Sequence, residues 1–415
     1  MVNQPTLVRP GSLIRRLGSL EELIWLRERR ASRTIVLLAE VQGSTTPEDW
    51  RTALNRVQAR HTILSSRIRK DPGSRPYFEL AGGVELPLEV VPLDSGTSAL
   101  ERCSRELGTN FLQGHMLMRA TVLHERDRST LILAVDHAAF DGRSVVFIVR
   151  DLLRSLAGES LGDPQPISPS QDEFFGSHIQ ERYTSTLAES TDRTFEARAQ
   201  DSGKRLVLER VWIEPPATSS IALRARREQT TVHGALTAAI LLAGRGQSPQ
   251  WRDTPIRCAS PIDNRATLNA GENLGLLITT GYTELPPTFS SGFWDLARQV
   301  RRDISVHYTI AEAALSLAPI REAVSVEQDP YNFVVVNRQR ANTLMVSNFG
   351  RLEIPANYGR FQLQSISPFG SSGAPHTQTV CVATLSGLLC MTNVSIEPVA
   401  SLLEKARNLL ISESQ

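Results

Sequence analysis

Apolar and polar positions change their period along this chain, and the changes predict a succession of strands and helices. Residues 130–135, TLILAV, form a continuous run that is typical of a strand buried on both faces. Further strands are predicted at residues 34–41, 77–80, 88–91, 116–124, 206–213, 256–261, 333–336, 344–346, 361–366, 379–385 and 388–394. Helices are predicted from near Ser19 and Thr46 onward, and over residues 98–107, 144–153, 230–241, 293–315 and 397–410. This mixture predicts an α/β protein with mixed sheets.

The length of 415 residues exceeds one typical domain and predicts two. The segment from Gly158 to Gln171 is rich in proline, serine and glycine, so it is the best candidate for a linker. We therefore expect an N-terminal domain over residues 1–165, a linker and crossover segment over 166–200, and a C-terminal domain over 201–415.

Charge, hydrophobicity and motif content argue against several classes of function for this protein. The 45 basic and 44 acidic residues leave a net charge of +1, which gives no electrostatic reason to bind nucleic acid or a membrane surface. There is no secretory-signal pattern and no apolar run long enough to span a bilayer, so we expect a cytoplasmic protein. The sequence shows no metal-ligand cluster, no phosphate-binding glycine loop and no G-x-S-x-G nucleophile elbow. We expect neither a metal nor a tightly bound cofactor.

The candidate chemistry follows the strand at 130–135, in the run DHAAFDG. The imidazole of His137 titrates near physiological pH, so it can take a proton from a hydroxyl or an amine and return it. Asp141 either orients His137 or binds an arginine that holds the turn rigid. Gly142 permits backbone angles that a Cβ forbids, and Asp141 or Ser144 is the expected N-cap of the next helix. The alternative is an ordinary strand, turn and capped helix with an incidental histidine.

The form H-x-x-x-D-G after a buried strand resembles the active-site motif of the chloramphenicol-acetyltransferase-like superfamily. This group includes nonribosomal peptide condensation domains and the stand-alone acyltransferases associated with mycobacterial polyketides, which this chain resembles most. Many members have H-H-x-x-x-D-G, whereas Asp136 stands in the first position here. The departure argues against a standard peptide-condensation role. The resemblance implies two chloramphenicol-acetyltransferase-like domains with a tunnel between them, and His137 in the tunnel.

Two further segments carry the resemblance. Arg265, in PIDNR after a predicted strand, is similar to an arginine in the family's second domain, which implies that it pairs with Asp141. The segment SNFG resembles the family's S-N-x-G, which implies that Asn348 or Ser347 donates a hydrogen bond to the reaction's oxyanion. An exposed arginine and a simple Asn-Gly turn are the alternatives.

The resemblance implies an acyltransferase in which His137 removes the proton of the acceptor as it attacks a thioester. Asp141, Gly142 and Arg265 would be structural residues at the active site. The donor would be a phosphopantetheine thioester, on coenzyme A or on an acyl or peptidyl carrier protein. We expect a hydroxyl acceptor on a secondary metabolite or lipid, and a monomeric protein. The alternatives are a stand-alone condensation enzyme that forms an amide, and a non-catalytic or cyclase-like module that docks a carrier protein.

Overall fold

Two six-stranded sheets form the framework of the protein. Its computed structural model describes residues 11–29, 31–93, 96, 98–176, 205–325, 342–372, 374 and 376–415. The strand predicted at 333–336 and most of the segment 166–200 lie outside these residues.

The strands are β1 Leu13–Arg16, β2 Thr34–Gln42, β3 Ser66–Arg69, β4 Tyr77–Leu80, β5 Leu88–Pro92, β6 Met118–Glu125, β7 Arg128–Asp136, β8 Val207–Ile213, β9 Ile256–Asp263, β10 Ile278–Leu285, β11 Leu344–Arg351, β12 Asn357–Tyr358, β13 Phe361–Gly370, β14 Gln378–Leu385 and β15 Leu388–Ser395. The helices are α1 Ser19–Glu28, α2 Pro47–Arg60, α3 Ala99–Leu107, α4 Gly142–Leu156, α5 Gln171–Phe175, α6 Pro215–Arg227, α7 Val232–Gln247, α8 Pro249–Asp253, α9 Arg265–Leu268, α10 Phe293–Ser305, α11 Ile310–Ser325 and α12 Leu402–Glu413.

The first sheet has the order β12-β13-β2-β7-β6-β5, and the second has the order β10-β9-β11-β14-β15-β8. A small third sheet has the order β1-β4-β3. Central strands β2 and β7 are antiparallel, and Thr34 lies opposite Asp136. The end of β7, where the candidate motif begins, is therefore next to the start of β2.

Sheet membership crosses the expected domain boundary. Strands β12 and β13 come from the second half of the chain, yet they belong to the first sheet, where β13 pairs antiparallel with β2. A single cut near residue 200 therefore does not separate the two sheets. Patterns of hydrophobicity predict that β13 is a strand, but they do not say which sheet it joins.

Most predicted elements are present, and the α/β class with mixed sheets is confirmed. The β14–β15 hairpin turns through Ser386 and Gly387, whose φ angles of 49° and 89° fit the right-twisted two-residue turns of hairpins. The single long helix expected over residues 293–315 is wrong. A 3₁₀ turn at Val306–Tyr308 divides it into α10 and α11. The closing helix begins at Leu402, later than expected.

Helix α7 packs closely against α10 because Gly234 has no side chain. A Cβ on Gly234 would lie 2.5 Å from the carbonyl oxygen of Ala297 and 2.6 Å from the Oγ1 of Thr230. Thr230 Oγ1 donates to that same carbonyl at 2.7 Å, so the contact is both tight and hydrogen-bonded.

Gly234→Ala should lower the free energy of unfolding by about 1–3 kcal/mol, because the backbone of α10 must move to admit the methyl group. Gly246→Ala, at an exposed site on the same helix with nothing within 4 Å of an added Cβ, is the matched control. It should be neutral or stabilise by about 0.5 kcal/mol, because alanine is the better helix former. Urea unfolding measures both, and an equal effect of the two substitutions would contradict the close packing.

Candidate active site

A tight turn follows β7 and fixes the backbone of the motif. The carbonyl of Asp136 accepts hydrogen bonds from the backbone N–H groups of Ala139 at 3.0 Å and Phe140 at 3.1 Å. Its carboxylate oxygen Oδ1 accepts from the N–H of Ala138 at 2.9 Å. His137 therefore lies on a closed, internally bonded turn at the end of a central strand.

The ring of His137 is held in one tautomer. Its Nδ1 lies 2.8 Å from the carbonyl oxygen of Phe140, and a carbonyl only accepts, so Nδ1 carries the proton. No described group forms a hydrogen bond to Nε2, so that nitrogen keeps its lone pair for a substrate. Burial lowers the pKa of His137 below its ordinary value, against the opposing hydrogen bond to Phe140 and the charge of Asp141. His137 is therefore neutral at pH 7 and can act as a base.

Asp141 and Arg265 form a buried, two-pronged ion pair. Arg265 Nη1 lies 2.8 Å from Asp141 Oδ2, and Arg265 Nη2 lies 3.0 Å from Oδ1. The two residues are only 1% and 5% exposed, so the pair is shielded from water. This geometry is the planar fork that suits a guanidinium and a carboxylate. The ion pair joins the start of α4 to the second half of the chain.

The remaining hydrogen-bonding capacity of Asp141 is also used. Its Oδ1 accepts from the backbone N–H and the hydroxyl of Ser144, both at 2.9 Å, and its Oδ2 accepts from the N–H of Leu277 at 3.0 Å. Asp141 is thus the N-cap of α4 and an anchor for the segment before β10. The group that orients His137 is the carbonyl of Phe140.

The pKa of Asp141 reflects a competition. Burial alone would raise the pKa of this carboxyl, but the charge and hydrogen bonds of Arg265 outweigh burial and hold it below its ordinary value. The pKa of Arg265 is raised for the same reason, since the carboxylate of Asp141 offsets its own burial. Both groups are charged near neutral pH.

Gly142 is required by a close approach and not by its backbone angle. It is not among the glycines with positive φ, so the expected conformational reason is wrong. A Cβ on Gly142 would instead lie 2.4 Å from the ring atom Cζ of Phe349. The ring of Phe349 therefore lies against the first residue of α4, and it brings the SNFG segment beside the motif.

Ser347 and Asn348 lie within β11, which continues to Arg351 instead of ending at residue 346. The side-chain oxygen of Asn348 accepts from the N–H of Gly350 at 2.8 Å, so its amide nitrogen remains as the donor. Gly350 has a φ of 72°, and the pairing with β14 is irregular there. The segment is therefore a strand with an irregularity after Asn348, and the oxyanion role stays a prediction.

Asp136 is buried. Burial, with a smaller contribution from Glu28, raises its pKa to about 7, against the hydrogen bond from the N–H of Ala138 and the charge of Arg119. Neighbouring side chains on a strand point to opposite faces, so we expect Asp136 on the other face from His137.

Two cavities in the described part of the chain do not include the motif. One, of about 260 Å³, is lined by residues that include Arg67, His115 and Arg119. The other, of about 430 Å³, is lined by residues that include Arg60 and Pro164. The tunnel expected between the domains therefore stays a prediction.

The described residues were compared with the requirements of a metal site and of a membrane-spanning helix. Among them, no three His, Cys, Asp or Glu side chains are grouped as a metal ion would need. None of their helices combines the length and apolar character needed to cross a membrane.

Asp141→Asn should lower the free energy of unfolding by about 3–5 kcal/mol, because it leaves Arg265 buried without its main partner. Asp263→Asn is the matched control: Asp263 Oδ1 also lies 2.9 Å from Arg265 Nη1, but its side chain is 32% exposed. We expect a loss below about 1 kcal/mol for the control. Urea unfolding measures both.

The pH dependence gives a second measurement for the same variant. Because the folded pKa of Asp141 is below the unfolded one, its stabilisation is present above about pH 4 and is lost as the pH falls through the folded pKa. The gap between wild type and Asp141→Asn should narrow below about pH 4. A gap that is constant down to acid pH would contradict the ion pair.

Comparison with known proteins adds sequence evidence in the second half. Residues 202–384 match the family described as phthiocerol/phthiodiolone dimycocerosyl transferase C-terminus. A curated relative from Salinispora arenicola, the probable non-canonical nonribosomal peptide synthetase CymA, is 25% identical over 291 residues, or 64% of this chain. The chain spans only 4% of the length of that relative.

Solved structures match over nearly the whole chain. Polyketide synthase associated protein 5 from Mycobacterium tuberculosis has a TM-score of 0.69 at 15% identity, covering 98% of this chain and 99% of that one. The trichothecene 15-O-acetyltransferase TRI3 from Fusarium sporotrichioides has a TM-score of 0.68 at 14% identity, covering 96% and 94%. At these identities the likeness shows the fold. The chain therefore shares the fold of these two proteins, and its residues 202–384 match the C-terminal part of the phthiocerol/phthiodiolone dimycocerosyl transferase family.

Proposed function

We propose that this protein is an acyltransferase of the H-x-x-x-D-G type, which moves an acyl group from a phosphopantetheine thioester to a hydroxyl. One observation carries the proposal: the Nδ1 of His137 donates to Phe140 at 2.8 Å, which leaves Nε2 as an unprotonated base on a rigid turn. The matching family is described as a transferase, and one structural neighbour is named as an O-acetyltransferase. The family supports a group transfer, and the neighbour named as an O-acetyltransferase supports a hydroxyl acceptor.

The reaction balances with one base and no covalent enzyme intermediate. Nε2 of His137 takes the hydroxyl proton while the acceptor oxygen attacks the thioester carbonyl. The resulting oxyanion receives hydrogen bonds from the amide nitrogen of Asn348 or the hydroxyl of Ser347. Collapse of the intermediate breaks the C–S bond, and the leaving thiolate takes the proton from His137. The products are an ester and a free thiol.

Asp141, Gly142 and Arg265 would position the backbone around the proposed base. Asp141 and Arg265 fix the start of α4 against the second half of the chain, and Gly142 admits the ring of Phe349. These contacts keep the turn of His137 in register with the strand that carries Asn348. The donor and the acceptor would reach His137 through the tunnel from opposite faces.

The donor arm is coenzyme A or a carrier protein. The curated relative is named as a probable nonribosomal peptide synthetase, which supports a carrier-bound thioester, and the structural neighbour named as an acetyltransferase supports acyl transfer to a small molecule. Matched acyl-CoA and acyl-carrier-protein donors, each with a panel of alcohols, separate the two by mass spectrometry of the product.

His137→Gln should lower kcat/KM for thiol release by about 10²–10⁴, because a positioned general base contributes roughly that factor. His376→Gln, at an exposed histidine that pairs with Glu397, should leave the rate unchanged. Thiol release is followed with a chromogenic thiol reagent, and the ester is identified by mass spectrometry. Full activity of His137→Gln would overturn the proposed mechanism.

kcat/KM should rise with pH, and the midpoint of the rise should lie below the ordinary histidine pKa of about 6.5. The sign follows from the mechanism, since the base must be unprotonated and burial lowers the pKa of His137. A limb with an apparent pKa clearly above 7 would show that a different group supplies the base.

A further inference from the structure

Arg33 lies beside the proposed base. Thr34 lies opposite Asp136 in the last pair of the antiparallel β2–β7 ladder. Arg33 and His137 are each the next residue beyond that pair, so they lie side by side at the end of the ladder. The charge of Arg33 acts on His137.

The guanidinium of Arg33 has no ion-pair partner among the residues that the structure describes. Its Nε is buried and forms no hydrogen bond to them. A nearby carboxylate, that of Glu28, is engaged otherwise: one oxygen accepts from the backbone N–H of Arg33 and the other from the N–H of Phe111 at 3.0 Å. Glu28 therefore fixes the backbone of Arg33, and its charge acts on the guanidinium without a direct ion pair.

A second cation makes this region more positive. Arg27, on the last turn of α1, acts on Arg33, and burial together with Arg27 lowers the pKa of Arg33 to about 10. Arg33 therefore remains charged at neutral pH. Burial lowers the pKa of Arg27, and Tyr282, on β10 of the second sheet, partly opposes that effect.

Arg33 is half-buried, and a guanidinium with a buried Nε and no direct ion-pair partner is costly unless an anion meets it. Here it also stands beside a base that must accept a proton, which is an unfavourable place for a fixed positive charge. Both costs are relieved when a substrate brings a negative group to the site. The planar fork of arginine is suited to a carboxylate.

We propose that Arg33 binds a carboxylate carried by one of the two substrates, close to the reacting carbon. This inference rests on the proposed acyl transfer and names a substrate class for it. The phosphate of phosphopantetheine is at the far end of the arm from the thioester. The carboxylate therefore belongs to the acyl group or to the acceptor.

Kinetics with matched substrates distinguish the two sources. One pair is succinyl-CoA and butyryl-CoA with a neutral alcohol, and the other is 3-hydroxybutyrate and its methyl ester with acetyl-CoA. We expect wild type to prefer the carboxylate member of one pair by about ten- to a hundredfold in kcat/KM, as for a charged hydrogen bond. Arg33→Met should abolish this preference and change the neutral member less than about threefold.

Arg29→Met is the matched control, because Arg29 is exposed and stacks over Trp25 with its guanidinium carbon 4.0 Å from the ring centroid. It should keep the preference. Two results would overturn the proposal. One is a wild type with no preference in either pair, and the other is an equal loss for both members in Arg33→Met, which would assign Arg33 to the oxyanion or the fold.

A binding measurement without turnover keeps this test separate from the proposed function. In histidine-labelled full-length protein, the His137 signal is assigned with His137→Gln and titrated by NMR in sodium acetate or in sodium chloride of equal ionic strength. Acetate should raise the pKa of His137 more than chloride in wild type and Arg29→Met, and no more than chloride in Arg33→Met. Equal effects of acetate and chloride in wild type would reject the subsite even if acyl transfer occurs. An acetate effect without any transfer would reject the proposed function and keep the subsite.

Discussion

The buried pair of Asp141 and Arg265 is the interaction on which the rest of the site depends. Removing two charges from water costs several kcal/mol for each, and mutual attraction offsets this only when other hydrogen bonds complete the shell. Here they do, since Ser144 and Leu277 supply the missing donors to Asp141, and the carbonyl of Asn273 accepts from Arg265 at 3.0 Å. The pair therefore specifies how the start of α4 meets the second half of the chain.

The charge of Asp141 also acts on His137. A carboxylate near an imidazole raises its pKa and favours the charged form. Burial is the larger effect, so the pKa of His137 is lowered. Orientation is supplied by the neutral carbonyl of Phe140, which fixes the tautomer without adding charge. The motif therefore divides two roles. Asp141 binds Arg265 and fixes the start of α4, and the backbone carbonyl of Phe140 orients the ring of His137.

Sequence patterns predicted the elements that depend on local chemistry. The buried strand β7, the cap of α4 by Asp141 and the β14–β15 hairpin all follow from neighbouring residues. Features that depend on residues far away in the sequence could not be predicted from local patterns. The need for glycine at position 142 comes from Phe349, and the return of β13 to the first sheet has no local signal. The long helix was wrong because apolar periodicity continues across the 3₁₀ turn at Val306–Tyr308.

The position of Arg33 beside His137 also depends on a distant partner, so the sequence does not predict it. The strand register brings the two residues together. Asp136 and Arg33 both lie beside the proposed base, since Asp136 precedes it in the chain and Arg33 lies just beyond the last pair of the β2–β7 ladder. The carboxylate of Asp136 stabilises the turn by accepting a hydrogen bond from the backbone N–H of Ala138. A histidine at this position has no carboxylate to accept that bond. The first position of the motif therefore serves the turn in this chain. The charges that act on His137 come from Asp141 and Arg33, so the departure at Asp136 leaves the proposed base intact.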